Sequence, residues 1–448
     1  MKYKIRQGLD LRMAGTAQRE VTALPMPELC YVRPSDFRWL KPKLLVQPGD
    51  AVAVGTPLFA DKADERVLVV SPAAGTVKEV VRGEKRAIES ITIAVNDAAP
   101  AVQTVAFDDA DTPEKIRNTM LLYGLWPCLR QRPYAIIPFP DSQPKAIFIP
   151  CFDSAPLAPD YNLLLASRAD DFTHGISILK QLVGADVPLH LCLRDGADNS
   201  IFETTQGVNF HYFSGPHPSG TVGPQIHRIA PLDKGETVWY LSPMDVARIG
   251  RLFDSHRLGF DKTFALTGPA ARKPHYYSTF YGADVSTALH DNLPEGDIRQ
   301  ISGNVLTGKQ ITNFPTLGFY DYQITLLQEY PERELLGWLL PGFRKWSFSH
   351  TFTAWMTQRK PFWFNTSMHG GARNFVMTDV YDKVFPFEAI LPLELLKACI
   401  THDIEKMEEL GIYEVDSEDF ALCEVVCPSK TECQQIILEG LKEIKGED

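Results

Sequence analysis

Residues 46–62, VQPGDAVAVGTPLFADK, and residues 71–80, SPAAGTVKEV, carry the frame on which a swinging-arm domain presents a lipoyl- or biotinyl-lysine at a hairpin tip. Lys62 stands thirteen residues after Gly49 and thirteen before Gly75. The spacing of such domains, counted from either side, puts the tip on Asp64 or Glu65. The tip is therefore acidic, Lys62 lies on the rising arm, and an unmodified lysine is expected.

Other chemistry-bearing stretches are near misses. Residues 303–310, GNVLTGKQ, approach the phosphate loop G-x-x-x-x-G-K-[ST], which needs a hydroxyl for magnesium and a following helix. Gln310 has no hydroxyl and ITNFPTLG cannot begin a long helix, so a strand and hairpin turn are expected. CEVVCP at 423–428 matches the end of a ferredoxin cysteine run, but the two preceding ligand positions hold Ser417 and Phe420. A helical segment with buried thiols is the plainer reading. His211, His217 and His227 are spaced six and ten apart, which fits no familiar zinc pattern, so no metal ligands are assigned. The chain has no G-x-G-x-x-G, G-x-S-x-G or H-E-x-x-H, and no catalytic or cofactor-binding residue is assigned.

One concentration remains. Residues 337–365, GWLLPGFRKWSFSHTFTAWMTQRKPFWFN, hold nine Trp and Phe residues and the basic pairs Arg344–Lys345 and Arg359–Lys360. Aromatic anchors beside cations suit a protein interface, a quinone ring or a lipid headgroup layer; ordinary strand core is the alternative. Phe343, Trp346, Phe348, Trp355, Arg359 and Trp363 are the candidates for quinone or partner contact.

The elements around these residues follow from local pattern. Residues 1–28 read as an extended leader, broken by Gly8, Gly15 and Pro25, that wraps another domain. Residues 29–97 are short β-branched runs cut by Pro-Gly and Gly-Thr turns, as in a small barrel-sandwich. Residues 96–113 read as an Ala/Asp/Pro-rich linker, after which Thr112, Pro113 and Glu114 open a helix as N-cap, first-turn proline and first-turn acid. Strands alternate with helices at 172–184 and 243–253, which makes 98–258 an α/β domain of Rossmann-like order. Residues 259–330 have the order of a β-grasp domain, 331–385 an aromatic-rich connection, and 386–448 apolar spacing of three and four residues that predicts a helical C-terminal domain.

Composition sets outer limits. A chain of 448 residues exceeds what one core supports, and 44% hydrophobic with 23% charged residues is globular. A net charge of −11 opposes a nucleic-acid surface. No window reaches the ~18 apolar residues of a membrane helix and the first residues lack a signal-peptide core. Eight cysteines in a chain this long predict reduced thiols rather than a disulfide scaffold.

Taken together, GLDLRMAGT, the barrel text above, FSGPHPSGTVGPQIH, ISGNVLTG, PLELLKACI and FALCEVVCPSK resemble, collinearly from about residue 5 to 430, the A-type subunit of the sodium-translocating NADH:quinone oxidoreductases. That family is similar to the C-type subunit of the Rnf complex and to the NADH-binding flavoprotein subunit of respiratory complex I. The resemblance implies a multidomain α/β and β architecture: lipoyl-like barrel-sandwich, Rossmann-like domain, β-grasp domain of the SLBB kind and helical tail. It implies a complex that passes electrons from NADH through flavins and iron–sulfur centres on other subunits to a quinone and couples this to sodium export. This chain would bind no cofactor and would sit peripherally on the cytoplasmic face of the bacterial inner membrane. There it would lie against the membrane-embedded B-type subunit, helping to form the quinone site. The alternative is a docking scaffold with no ligand contact of its own.

Overall fold

The computed structural model describes residues 1–96, 102–107, 112–330, 336, 339, 342–343, 345–356, 361–367 and 379–446. The N-terminal barrel-sandwich stacks two small sheets. One has the order Leu29–Val32, Ile88–Val95, Gly75–Arg82, Ala51–Val52, and the other Pro42–Leu44, Pro57–Asp61, Leu68–Val70. Alternating apolar residues fill the space between them, with Leu58, Phe59, Ile91 and Ile93 wholly buried. The hairpin between Pro57–Asp61 and Leu68–Val70 is centred on Asp64 and Glu65, and Lys62 is exposed one residue past the strand.

That tip does not swing free. Arg66 bonds both Asp64 and, across the domain boundary, Asp141 at 2.6 Å, and its guanidinium holds the Asp64 carboxyl below the usual range.

The second domain has a six-stranded sheet in the order Lys2–Lys4, Asn209–Ser214, Leu189–Arg194, Ile147–Pro150, Val238–Tyr240, Arg130–Arg132. All neighbours are parallel except the last pair. Its central strands Leu189–Arg194, Ile147–Pro150 and Val238–Tyr240 are largely apolar and buried because both faces are covered. Helices Pro113–Leu122, Ala169–Val183 and Pro243–Ser255 pack one face, while Val222–Ile229 packs the other over Phe148 and Phe213. Thr112 caps the first helix by accepting from the Lys115 N–H, as its sequence predicts.

The leader is extended, and it completes two sheets rather than merely wrapping them. Lys2–Lys4 is the edge strand above, and Gln18–Ala23 pairs in parallel with His275–Phe280 in the third domain. That sheet runs Gln18–Ala23, His275–Phe280, Asp261–Thr267, Gln323–Gln328, Ile298–Ser302, Lys309–Gln310, with helix Ser286–Asn292 beside it. GNVLTGKQ forms the hairpin between the last two strands, with Gly303 at a positive φ of 92°. The linker reading needs correction: Val102–Thr104 is a strand, antiparallel to Arg257–Gly259, because the VQTVAF run is β-branched and apolar amid its Ala/Asp/Pro neighbours.

After residue 379 the chain forms helices Pro392–Ile400, Ile404–Glu409, Ala421–Val426 and Cys433–Lys445 around Leu395, Phe420 and Ile437. All eight cysteines are free and buried. Cys427 accepts from the Tyr381 hydroxyl at 3.1 Å and the Thr431 N–H at 3.4 Å. Among the described residues no three His, Cys, Asp or Glu side chains are grouped as metal ligands, and no helix is long and apolar enough to cross a membrane.

Candidate functional site

The α/β sheet reverses its order beside Ile147–Pro150. The strands that follow it in sequence lie on one side, at Leu189–Arg194 and Asn209–Ser214, and Val238–Tyr240 lies on the other. Such a switch point leaves a crevice beyond the carboxyl ends of the strands. Here the crevice opens into a cleft of about 1100 Å³ where all four folded regions meet. Pro150 and Tyr240 end their strands in its wall, and Ser242 caps the helix that starts there by accepting from the Asp245 N–H at 3.1 Å.

Arg130, on the antiparallel edge strand, faces this cleft. Its guanidinium lies between the rings of Tyr240 and Tyr320, 4.5 and 4.3 Å from their centroids, and the Tyr320 hydroxyl is fixed by donation to the Pro127 carbonyl at 2.6 Å. Cation–π contact holds the guanidinium face while leaving its edge donors unspent.

Two residues on, Arg132 is wholly buried and reaches Asp419 at 3.3 Å, Glu418, and Asp416 at 3.8 Å. Arg38 of the barrel meets Asp416 from the other side and donates to the Tyr134 carbonyl at 3.0 Å. Two guanidinium groups thus face three carboxylates. Burial opposes ionisation of Asp416, yet Arg38 and Arg132 outweigh it and hold its carboxyl below the usual range. For Asp419 burial dominates and raises the carboxyl to about 7, which lets the cluster become neutral by keeping one proton.

Behind the cleft wall lies a second polar layer. Tyr281 and Tyr322 share a 2.8 Å hydrogen bond, Tyr322 meets the Ser242 hydroxyl at 3.1 Å, and Arg248 stacks 4.3 Å over Tyr281 while pairing with Asp245 at 3.3 Å. Lys262 donates to the Gly318 and Phe319 carbonyls at 2.8 and 2.9 Å, and burial lowers its ammonium to about 7.

The residues singled out in the sequence lie elsewhere. Trp346 packs at 5.9 Å against Phe364, Phe348 is half-buried on the C-terminal core, and Trp355 stacks on His350. Phe343, Trp355 and Trp363 are 63%, 50% and 71% exposed. None of these five lines the cleft, and Arg359 falls outside the described residues. The three histidines are not brought together as a set: His211 pairs with His190, His217 with Ser154, and His227 with Glu414. Sequence reasoning missed Arg130 and Arg132. Their one local signal is two arginines at a two-residue spacing, on the same face of a strand.

Three family models match: the NqrA N-terminal barrel-sandwich hybrid domain over residues 3–96, the NqrA second alpha/beta domain over 111–258 and the NQRA C-terminal domain over 263–313. The chain is 36% identical to NqrA, the A-type subunit of the Na(+)-translocating NADH-quinone reductase, from Yersinia pestis bv. Antiqua, with 99% of both chains covered. It is 37% identical to the protein of the same name from Cellvibrio japonicus, again over 99% of each, and 36% identical to that of Neisseria meningitidis serogroup B over 99% of each. Full-length identity at this level, with three domain models matching in order, means that this chain belongs to the NqrA family, the A-type subunits of the Na(+)-translocating NADH-quinone reductases.

Proposed function

We propose that the chain is a peripheral, cytoplasmic-face subunit of a sodium-pumping NADH-quinone reductase. It docks on the membrane subunit through its aromatic segment and helps form the quinone site at that contact. NADH oxidation and electron transfer belong to flavins and iron–sulfur centres on other subunits, and this chain carries neither. The supporting observation is a concentration of exposed apolar surface. Among the described residues fifteen large hydrophobic side chains are exposed, and six of them, Leu336, Leu339, Phe343, Trp355, Met356 and Trp363, fall within 28 consecutive residues. Exposed apolar side chains gathered in this way mark interaction sites, and Trp and Phe are typical anchors.

The same exposure favours a second reading, docking without quinone contact, because a quinone ring needs an enclosed slot. One pair of substitutions separates them. Trp355→Ala with Trp363→Ala removes exposed rings, so the isolated chain should keep its melting temperature while co-purification with the membrane subunit falls roughly tenfold. Full assembly of that variant would overturn the docking surface. In whatever complex does assemble, a raised quinone KM supports quinone contact and an unchanged KM supports docking alone.

A further inference from the structure

We propose that Cys427 is a peroxide-reactive sulfur that closes a disulfide with Cys433 across the turn at residues 428–432. Several hydrogen-bonding groups converge on the Cys427 sulfur. The Tyr381 hydroxyl stands 3.1 Å from it, the Thr431 N–H 3.4 Å and the Thr431 hydroxyl 3.5 Å. The turn is closed around it, with the Lys430 N–H donating to the Cys427 carbonyl at 3.2 Å and the Lys430 ammonium to the Val425 carbonyl at 2.5 Å. A neutral thiol is a weak acceptor and is satisfied by fewer partners; an ionised sulfur accepts from all of them.

The other cysteines supply the contrast. Burial is the largest influence on each of the other seven and raises every one, Cys433 to about 12. Burial opposes ionisation of Cys427 as well, yet hydrogen bonds from Thr431, Tyr381 and the Ser429 backbone outweigh it and hold this thiol below its ordinary value. The thiolate is the nucleophilic form, so one sulfur among eight is prepared to react.

Helix packing brings up the second thiol. Cys427 follows helix Ala421–Val426, and Cys433 opens helix Cys433–Lys445. Gln434 ties the two helices together, its N–H and side-chain amide donating to the two carboxylate oxygens of Glu424 at 2.8 and 3.0 Å. The Cys433 N–H donates to the Thr431 carbonyl at 2.9 Å, and the Tyr381 hydroxyl also interacts with the Cys433 sulfur, so one hydroxyl serves both thiols. Both cysteines are wholly buried, but Pro428 and Glu432 in the turn between them are exposed, so their cover is a single short turn at the surface.

Hydrogen peroxide is small enough to pass that cover and supplies the oxidant. The Cys427 sulfur attacks one peroxide oxygen, the O–O bond breaks, and the released hydroxide takes up a proton and leaves as water, so that Cys427 becomes a sulfenic acid. The Cys433 sulfur then gives up its proton and attacks Cys427; the S–S bond forms, the S–O bond breaks, and a second water leaves. Two thiols lose two electrons, and one peroxide becomes two waters. After burial and Glu424, the Cys427 charge is a further cause that raises Cys433, so its loss in the first step eases the second.

The test is peroxide treatment of the reduced full chain, blocking of the remaining thiols with a maleimide in denaturant, and tryptic mapping by mass spectrometry. Cleavage after Lys406, Lys430 and Lys442 puts Cys423 and Cys427 on one peptide and Cys433 on the next. Peroxide should link these two peptides through Cys427 and Cys433, dithiothreitol should separate them, and Cys30 and Cys399 should stay reduced. Cys433→Ser should leave Cys427 as a sulfenic acid that dimedone traps, and Cys427→Ser should give neither product. Tyr381→Phe, its fold checked by circular dichroism, should react roughly tenfold more slowly, because the sulfur loses one donor. The proposal fails if Cys427 stays reduced, if it bridges Cys423 within its own peptide, if the other buried thiols oxidise as fast, or if Tyr381→Phe reacts at the parent rate.

Discussion

Asp419 shows how one proton can balance a buried cluster. Asp416, Glu418 and Asp419 face Arg38 and Arg132, so full ionisation leaves one uncompensated negative charge beside the cleft. Asp419 is 3% exposed, and its Oδ1 has no hydrogen-bond partner. Its carboxyl is raised from 3.8 to about 7, so the native state holds a proton there that the unfolded chain has already lost above pH 4. The stability from this group is complete below pH 4 and disappears as pH rises through 7. Asp419→Asn keeps the neutral form at every pH. Its stability relative to the parent chain should therefore improve by about 2–3 kcal/mol between pH 5 and pH 8, since one pKa unit corresponds to about 1.4 kcal/mol. Urea unfolding at the two pH values measures this, and a constant difference would show that Asp419 is ionised throughout. Nothing in DSEDFALC distinguishes this aspartate from a surface acid, because its partner Arg132 lies 287 residues away.

At the scale of elements, the helix pair under the α/β sheet depends on two glycines. Gly175 lies in the interior of Ala169–Val183 and Gly250 in that of Pro243–Ser255. A Cβ on Gly175 would overlap the Val246 carbonyl, and one on Gly250 the Asp171 carbonyl. Each helix therefore rests its backbone on the other, and that close crossing sets where the N-terminus of Pro243–Ser255 meets the cleft. In a free helix Gly→Ala is stabilising by about 1 kcal/mol. Here Gly250→Ala should destabilise by roughly 1–3 kcal/mol, because the obstacle is backbone and cannot rotate away. Thermal unfolding decides the sign, and a stabilised variant would mean that the helices can separate without loss. The helices themselves were legible from their apolar period, as were the barrel strands from β-branched runs between turns. An interior helical glycine, which has a cost unless something packs against it, was also a readable signal of the crossing. The strand at Val102–Thr104 was not readable as one, since three residues amid Ala, Asp and Pro form a ladder only when Arg257–Gly259 arrives beside them.

For the whole molecule, the order of regions was visible and their meeting place was not. Each domain is announced by local periodicity, but the cleft is assembled across intervals as long as the 287 residues between Arg132 and Asp419. That ion cluster joins barrel, α/β sheet and C-terminal helices at a single node, through Arg38, Arg132 and the acids at 416–419. A buried ion pair adds little over well-packed apolar groups, but removing one partner strands the others. Arg132→Leu should therefore cost about 3–5 kcal/mol at pH 8, where three carboxylates are left with Arg38 alone. At pH 5 the loss should be smaller, because Asp419 is then protonated. Adding Asp419→Leu to Arg132→Leu removes one stranded charge and should recover part of the loss, a coupling that a double-mutant cycle reads directly. If the node joins the regions, limited proteolysis of Arg132→Leu should release the helices after residue 379 before the barrel is cut. Simultaneous loss of all regions would instead mean that apolar packing, such as the inclusion of Leu306 in the C-terminal hydrophobic core, already makes the molecule one cooperative unit, with the charges adding only register.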